Sequence, residues 1–136
     1  MKEWILPTIL TILAWSFWAF LPKIATRYID PYSATVYQSL GGILVGLGAL
    51  IAIKFQVEFN TPGFSYSLVA GLLGFFGAFT YLLAVSKGPL ALVAPLTALY
   101  PMLVIILSFV FLHEAVSIRQ GIGIALSLAA IFLIST

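Results

Sequence analysis

The stretch PLALVAPLTALYPMLVIILSFVFL, Pro89 to Leu112, contains no charged side chain. It shows no strict alternation of apolar and polar residues, which a membrane β-strand needs. It is longer than the roughly 20 residues with which a helix, rising about 1.5 Å per residue, crosses about 30 Å of hydrocarbon. This reads as a membrane-crossing helix, and the reading sets how the rest of the chain is parsed.

Upstream, Lys87-Gly88-Pro89 breaks this run from an earlier one at Phe64–Ser86. Asn60-Thr61-Pro62-Gly63-Phe64-Ser65 is turn chemistry ahead of that run, and Asp30-Pro31 can cap and open another. Downstream, Ser117 and Gln120 have the spacing of a capping box. The start, MKEWILPTILTILAWS, resembles a signal peptide in placing Lys2 before an apolar core, but no clear small-x-small cleavage site ends it at the usual distance, so it is read as a first helix. The expected fold is an all-α integral membrane protein: a single domain over residues 1–136 with five transmembrane helices at about 4–25, 31–53, 64–86, 89–112 and 118–135.

Composition agrees. Residues are 62% hydrophobic and 7% charged, whereas soluble domains carry about 25% charged residues. With no cysteine there is no disulfide framework. The six basic residues sit at helix ends and form no stripe for nucleic acid. One histidine, no cysteine and no carboxylate pair deep in a helix leave an intramembrane enzyme, a metal site or a cofactor without support.

Five spans place the termini on opposite sides of the membrane. Lys2, Lys54 and Arg119 then lie on one side, and Lys23, Arg27 and Lys87 on the other, so the positive-inside rule gives no orienting bias. The expectation is that copies insert both ways and pair as an antiparallel homodimer, like the inverted repeats that place a substrate site at the midplane of many transporters. A single orientation set by something finer is the competing reading.

Polar capacity within the spans is uncharged. Trp4, Thr8, Thr11, Trp15, Trp18 and Pro22 fall within a sector of roughly 80° at about 100° per residue. Trp15 and Trp18 lie far from the headgroup boundary that tryptophan prefers; either they pack against a neighbouring helix or they line a cavity. In the Pro89–Leu112 run, Pro95 and Pro101 remove helical donors from the Ala91 and Thr97 carbonyls. They either bend the helix for packing or act as a hinge on a transport path, with Thr97 and Tyr100 beside them. Tyr37, Gln38 and Tyr81 are the other candidates for a cavity wall. His113-Glu114 either shapes the turn before Ser117 or couples transport to protons. Gly42-xxx-Gly46, the Gly71, Gly74 and Gly77 series, and Gly121-xxx-Ala125-xxx-Ala129 read as packing seams.

With those residues in view, GPLALVAPLTALYPMLVIILSFVFLHEAVSIRQGIGIALSLAAIFLIS resembles the closing two helices of an EamA domain of the drug/metabolite transporter superfamily. LAWSFWAFLPKIA resembles its first helix. The likeness implies alternating access around a central cavity, built in most members from two inverted five-helix repeats, with small metabolites or drugs as substrates. Trp15, Lys23, Pro101 and Glu114 are the matching positions. Two departures stand out: Trp15-Ser16 where the family often has Trp-Gly, and Gln38 where it often has arginine, which puts anion recognition by the second helix in doubt.

The combined expectation is a secondary transporter for a small metabolite such as an amino acid or nucleoside, in a bacterial or archaeal plasma membrane. Trp15, Trp18, Tyr37, Gln38, Tyr81, Thr97 and Tyr100 would bind substrate, Pro95 and Pro101 would serve as hinges, and His113 and Glu114 as coupling groups. The alternative is a non-transporting membrane subunit that stabilises another complex.

Overall fold

The computed structural model describes residues 3–135, so Lys2 lies outside the described residues. The chain is helical: α1 (Ile5–Ala25), α2 (Pro31–Ala52), α3 (Thr61–Lys87), α4 (Leu90–Thr97), α5 (Tyr100–Leu112) and α6 (Ile118–Ser135). Among the described residues, α1, α2, α3 and the stretch Leu90–Leu112 are long and apolar enough to cross a membrane, and Ile118–Leu133 is a shorter apolar helix.

Local chemistry explains the boundaries. Asp30 caps α2: its carboxylate accepts from the Tyr32 and Ser33 amides at 2.9 and 3.1 Å and from the Ser33 hydroxyl at 2.6 Å, while Pro31 occupies the first turn, where no amide donor is needed. The capping box at α6 is reciprocal. The Ser117 amide donates to Gln120 Oε1 at 2.9 Å, and the Gln120 amide to Ser117 Oγ at 3.3 Å.

Two boundaries differ from the sequence reading. α3 begins at Thr61, not at Phe64, because Asn60 acts as a cap: its side chain accepts from the Gly63 amide at 3.2 Å, and its carbonyl from the Phe64 amide at 2.8 Å. Phe59 and Phe64 then close a hydrophobic staple, with ring centroids 5.8 Å apart. The Pro89–Leu112 run is interrupted at Ala98–Leu99, and Pro101 sits in the first turn of the new helix α5. Having no N–H, Pro101 cannot bond back to Thr97, and the regular helical bonding lapses there while the Leu99 backbone keeps near-helical angles, φ -73° and ψ -17°.

The chain divides into two compact units at Lys87–Gly88. In the first, α3 packs on both α1 and α2. Ala78, Tyr81, Leu82 and Val85 of α3 are buried with Ala34 of α2 and Pro22 of α1, and Val85 is fully enclosed. Those α3 positions follow the i, i+3, i+4, i+7 spacing of one helix face. Tyr32 meets Phe79 at 5.2 Å between centroids. Gly42 lets the Phe75 ring of α3 lie directly against α2, since a Cβ there would stand 2.6 Å from the ring's tip and the ring would have to shift. Gly46, Gly71, Gly74 and Gly77 have no neighbour within 4 Å of that position, so only Gly42 of these acts as a packing glycine within the chain. In the second unit, α4 packs on α6.

Candidate functional site

Two clefts, one in each unit, hold five of the residues that the sequence singles out: Trp18, Tyr37 and Gln38 in the first, Pro101 and Glu114 in the second. The first, of about 260 Å³, is bordered by Trp18 and Pro22 of α1, Ala34, Tyr37 and Gln38 of α2, and Leu82 of α3. Trp18 owes its position to Tyr81. The two rings stack with centroids 5.5 Å apart and planes 24° from parallel, and the Tyr81 hydroxyl donates to the Ala19 carbonyl at 2.9 Å, tying α3 to α1. A tyrosine buried in apolar surroundings needs such a partner for its O–H. A second tie lies near the ends of the same helices, where the Lys23 ammonium donates to the Val85 carbonyl at 2.6 Å. A cation at the last turn of α3 also meets the negative end of the helix dipole.

Gln38 is the unusual member of this cleft. Its Oε1 is buried, and among the described residues it has no hydrogen-bond partner. The nearby hydroxyls on α2 are committed to their own helix: Thr35 donates to the Pro31 carbonyl at 2.8 Å and Ser39 to the Thr35 carbonyl at 2.9 Å.

The second cleft, of about 600 Å³, lies along α5 and α6 and reaches the Ala98–Leu99 break; Pro101, Ser108, Glu114, Gln120 and Ser127 are among its lining residues. Ser108 holds Glu114 twice, its hydroxyl hydrogen-bonded to Glu114 Oε2 and its carbonyl accepting the Glu114 amide at 3.4 Å. His113 ends α5 in the left-handed conformation, φ 55° and ψ 28°, with its amide bonded to the Ser108 carbonyl. This geometry gives His113-Glu114 a definite role in shaping the turn into α6.

The structure thus brings together Trp18, Tyr37, Gln38 and Tyr81 in the first unit, and Pro101 with Glu114 in the second. Trp15 is not in the lining of the first cleft and is 56% exposed. Thr97 and Tyr100 flank the helix break. The Thr97 hydroxyl donates to the Ala94 carbonyl at 2.9 Å, just as Thr8 and Thr11 donate to Trp4 and Pro7 at 2.8 and 2.9 Å. The hydroxyl-bearing face expected on α1 is therefore largely self-satisfied, a regular habit of Ser and Thr in helices. Pro95 lies within α4. Sequence reading did not find Ser108 as the partner of Glu114. Their six-residue separation carries no helical signal, because the contact depends on the left-handed turn at His113.

Four helical stretches long and apolar enough to cross a membrane, with a fifth, shorter apolar helix, define a helical integral membrane protein. A model of the EamA-like transporter family matches residues 2–136, and the chain belongs to that family. The family's members are transporters and not enzymes. An uncharacterized protein of Methanocaldococcus jannaschii is 27% identical over 106 residues, covering 78% of this chain and 77% of its own. No solved structure matches the chain.

Proposed function

We propose that this chain is a secondary transporter that moves a small organic metabolite across a bacterial or archaeal plasma membrane by alternating access. Two oppositely inserted copies would form the working unit. The family match across the chain carries this reading. The cleft bearing Trp18, Tyr37 and Gln38 supplies what a transporter of the class needs on each copy: an apolar, aromatic wall with few polar groups. The even division of basic residues, three to each side, supports insertion in both orientations, and inverted pairing would place the clefts of the two copies about a two-fold axis in the membrane plane. Pro95 and Pro101 would allow α4 and α5 to rock, and Glu114, held by Ser108, is the candidate coupling carboxylate.

Proteoliposomes preloaded with a mixture of unlabelled amino acids, nucleosides and amines test the proposal by counterflow of the labelled compounds. The expected result is saturable uptake that Trp18→Ala reduces about tenfold or more without loss of folded protein, a drop equal to about 1.4 kcal/mol. Uptake no greater than that of protein-free vesicles across the panel would return the chain to the class of non-transporting membrane subunits. Reporters of opposite compartment specificity fused to the C-terminus test the paired arrangement; signal from one alone overturns dual insertion.

A further inference from the structure

We infer that the cleft between α1 and α2 is a site for a primary ammonium group, with Gln38 Oε1 as its hydrogen-bond acceptor and the Trp18 indole as its cation–π face. The inference deepens the transport reading by naming the chemical class of the solute.

Buried side-chain acceptors are rarely left without a donor, and Gln38 Oε1 is buried and unpartnered among the described residues. Four of the donors on the surrounding helices are already engaged. Thr35 and Ser39 bond their own helix, the Tyr81 hydroxyl bonds Ala19, and the Lys23 ammonium bonds Val85. No charged side chain lines the cleft, so an anion would meet no cation there. A ligand cation would meet an acceptor and an aromatic face. Pro22 adds to this, since it has no N–H to return to the Trp18 carbonyl, and residues 18 and 22 both line the cleft. Trp18 is held ready by its stack with Tyr81, and indole is the best of the aromatic cation–π faces. At about 260 Å³ the cleft suits a head group with a short apolar stem, smaller than the usual range for drug-sized ligands.

The hydrogen bond separates this site from simple cation–π attraction, because a quaternary ammonium retains the charge but has no N–H. The full chain, purified in detergent, is titrated calorimetrically with 2-phenylethylammonium, its N,N,N-trimethyl counterpart and 3-phenylpropionate. Wild type should bind the primary ammonium about tenfold or more tightly than the quaternary one, in line with hydrogen bonds to charged groups, and 3-phenylpropionate should not compete. Gln38→Leu should abolish that preference while leaving affinity for the quaternary probe unchanged; if the leucine variant does not fold, Gln38→Met serves with the same expected result. Trp18→Leu should weaken both cations. Equal wild-type affinity for the two cations, a preference that survives loss of the Gln38 amide, or displacement by 3-phenylpropionate overturns the site. Amine selectivity without counterflow in proteoliposomes overturns the transport reading alone, and counterflow without amine selectivity overturns the ammonium site alone.

Discussion

The two units of this chain differ in the reach of their side-chain hydrogen bonds: both bond most hydroxyls locally, and the first adds two ties between distant helices. In the first, Tyr81 bonds Ala19 and Lys23 bonds Val85, each across a sequence separation of 62 residues. In the second, Thr97 bonds Ala94, Ser108 bonds Glu114, Ser117 bonds Gln120 and Ser127 bonds Gly123, all near neighbours in sequence. Burial follows the same division, for among the described residues the buried ones, Pro22, Ala34, Ala78, Tyr81, Leu82 and Val85, all lie in the first unit. Lipid offers no hydrophobic drive between helices, so association depends on close packing and interhelical hydrogen bonds. The first unit has both, and it also holds the unpartnered acceptor of Gln38. A ligand site is most selective where the supporting shell is fixed by packing and hydrogen bonds.

The sharpest way to break this contrast is to remove matched side chains. Leu82→Ala should lower stability to thermal unfolding in detergent by about 2–3 kcal/mol, since a buried leucine leaves a cavity. Leu107→Ala, at a residue 53% exposed, should cost less than about 0.5 kcal/mol. Equal losses would show that the second unit has as firm a core as the first.

A smaller effect sharpens the comparison at the level of single hydrogen bonds. Tyr81→Phe keeps the stack on Trp18 but deletes the tie to Ala19, and should cost about 1 kcal/mol. Ser127→Ala, which removes a bond within one helix, should change stability by less than about 0.5 kcal/mol. Reversal of that order would contradict the division into long-range and local bonding.

The smallest expected effect is at the start of α2. The Asp30 carboxyl is held below its ordinary range, first by the Ser33 hydroxyl and then by the Ser33 amide. A depressed folded-state pKa gives a contribution that is present above the ordinary aspartate value of about 3.9 and is lost as pH falls through the lower folded value. Amide exchange, corrected for its intrinsic pH dependence, should show the Tyr32 and Ser33 amides losing protection in that acid window. Asp30→Asn, which does not titrate there, should remove the pH dependence. Protection unchanged with acid would separate the cap from the carboxylate's charge.

Much of the fold is legible residue by residue. Asp30-Pro31 and Ser117-x-x-Gln120 read as helix starts because capping needs only local geometry. The α3 start was also encoded, in Phe59 and Phe64 flanking Asn60, but the proline and glycine between them favour a turn reading. Pro101 announces a disturbance in the fourth span; whether the helix bends or restarts depends on which backbone groups find new partners.

The candidate site was less legible. Trp18, Tyr37 and Gln38 stand out as polar or aromatic residues at depth, yet helical spacing cannot distinguish Trp15 from Trp18, which share a face of α1. The stack of Tyr81 on Trp18 fixes that ring beside the cleft, a contact between helices that spacing along α1 does not record. Thr8, Thr11 and Thr97 read as donors available to a solute, but each donates to its own helix.

Apolar run length, scarcity of charge and capping residues by themselves determined that this chain is a set of membrane-spanning helices, because insertion and capping depend on transfer and bonding within one segment. Tertiary structure decided which indole is clasped, which glycine is filled against and which amide oxygen is left wanting a donor. Those outcomes depend on contacts between helices tens of residues apart, and no local pattern records them.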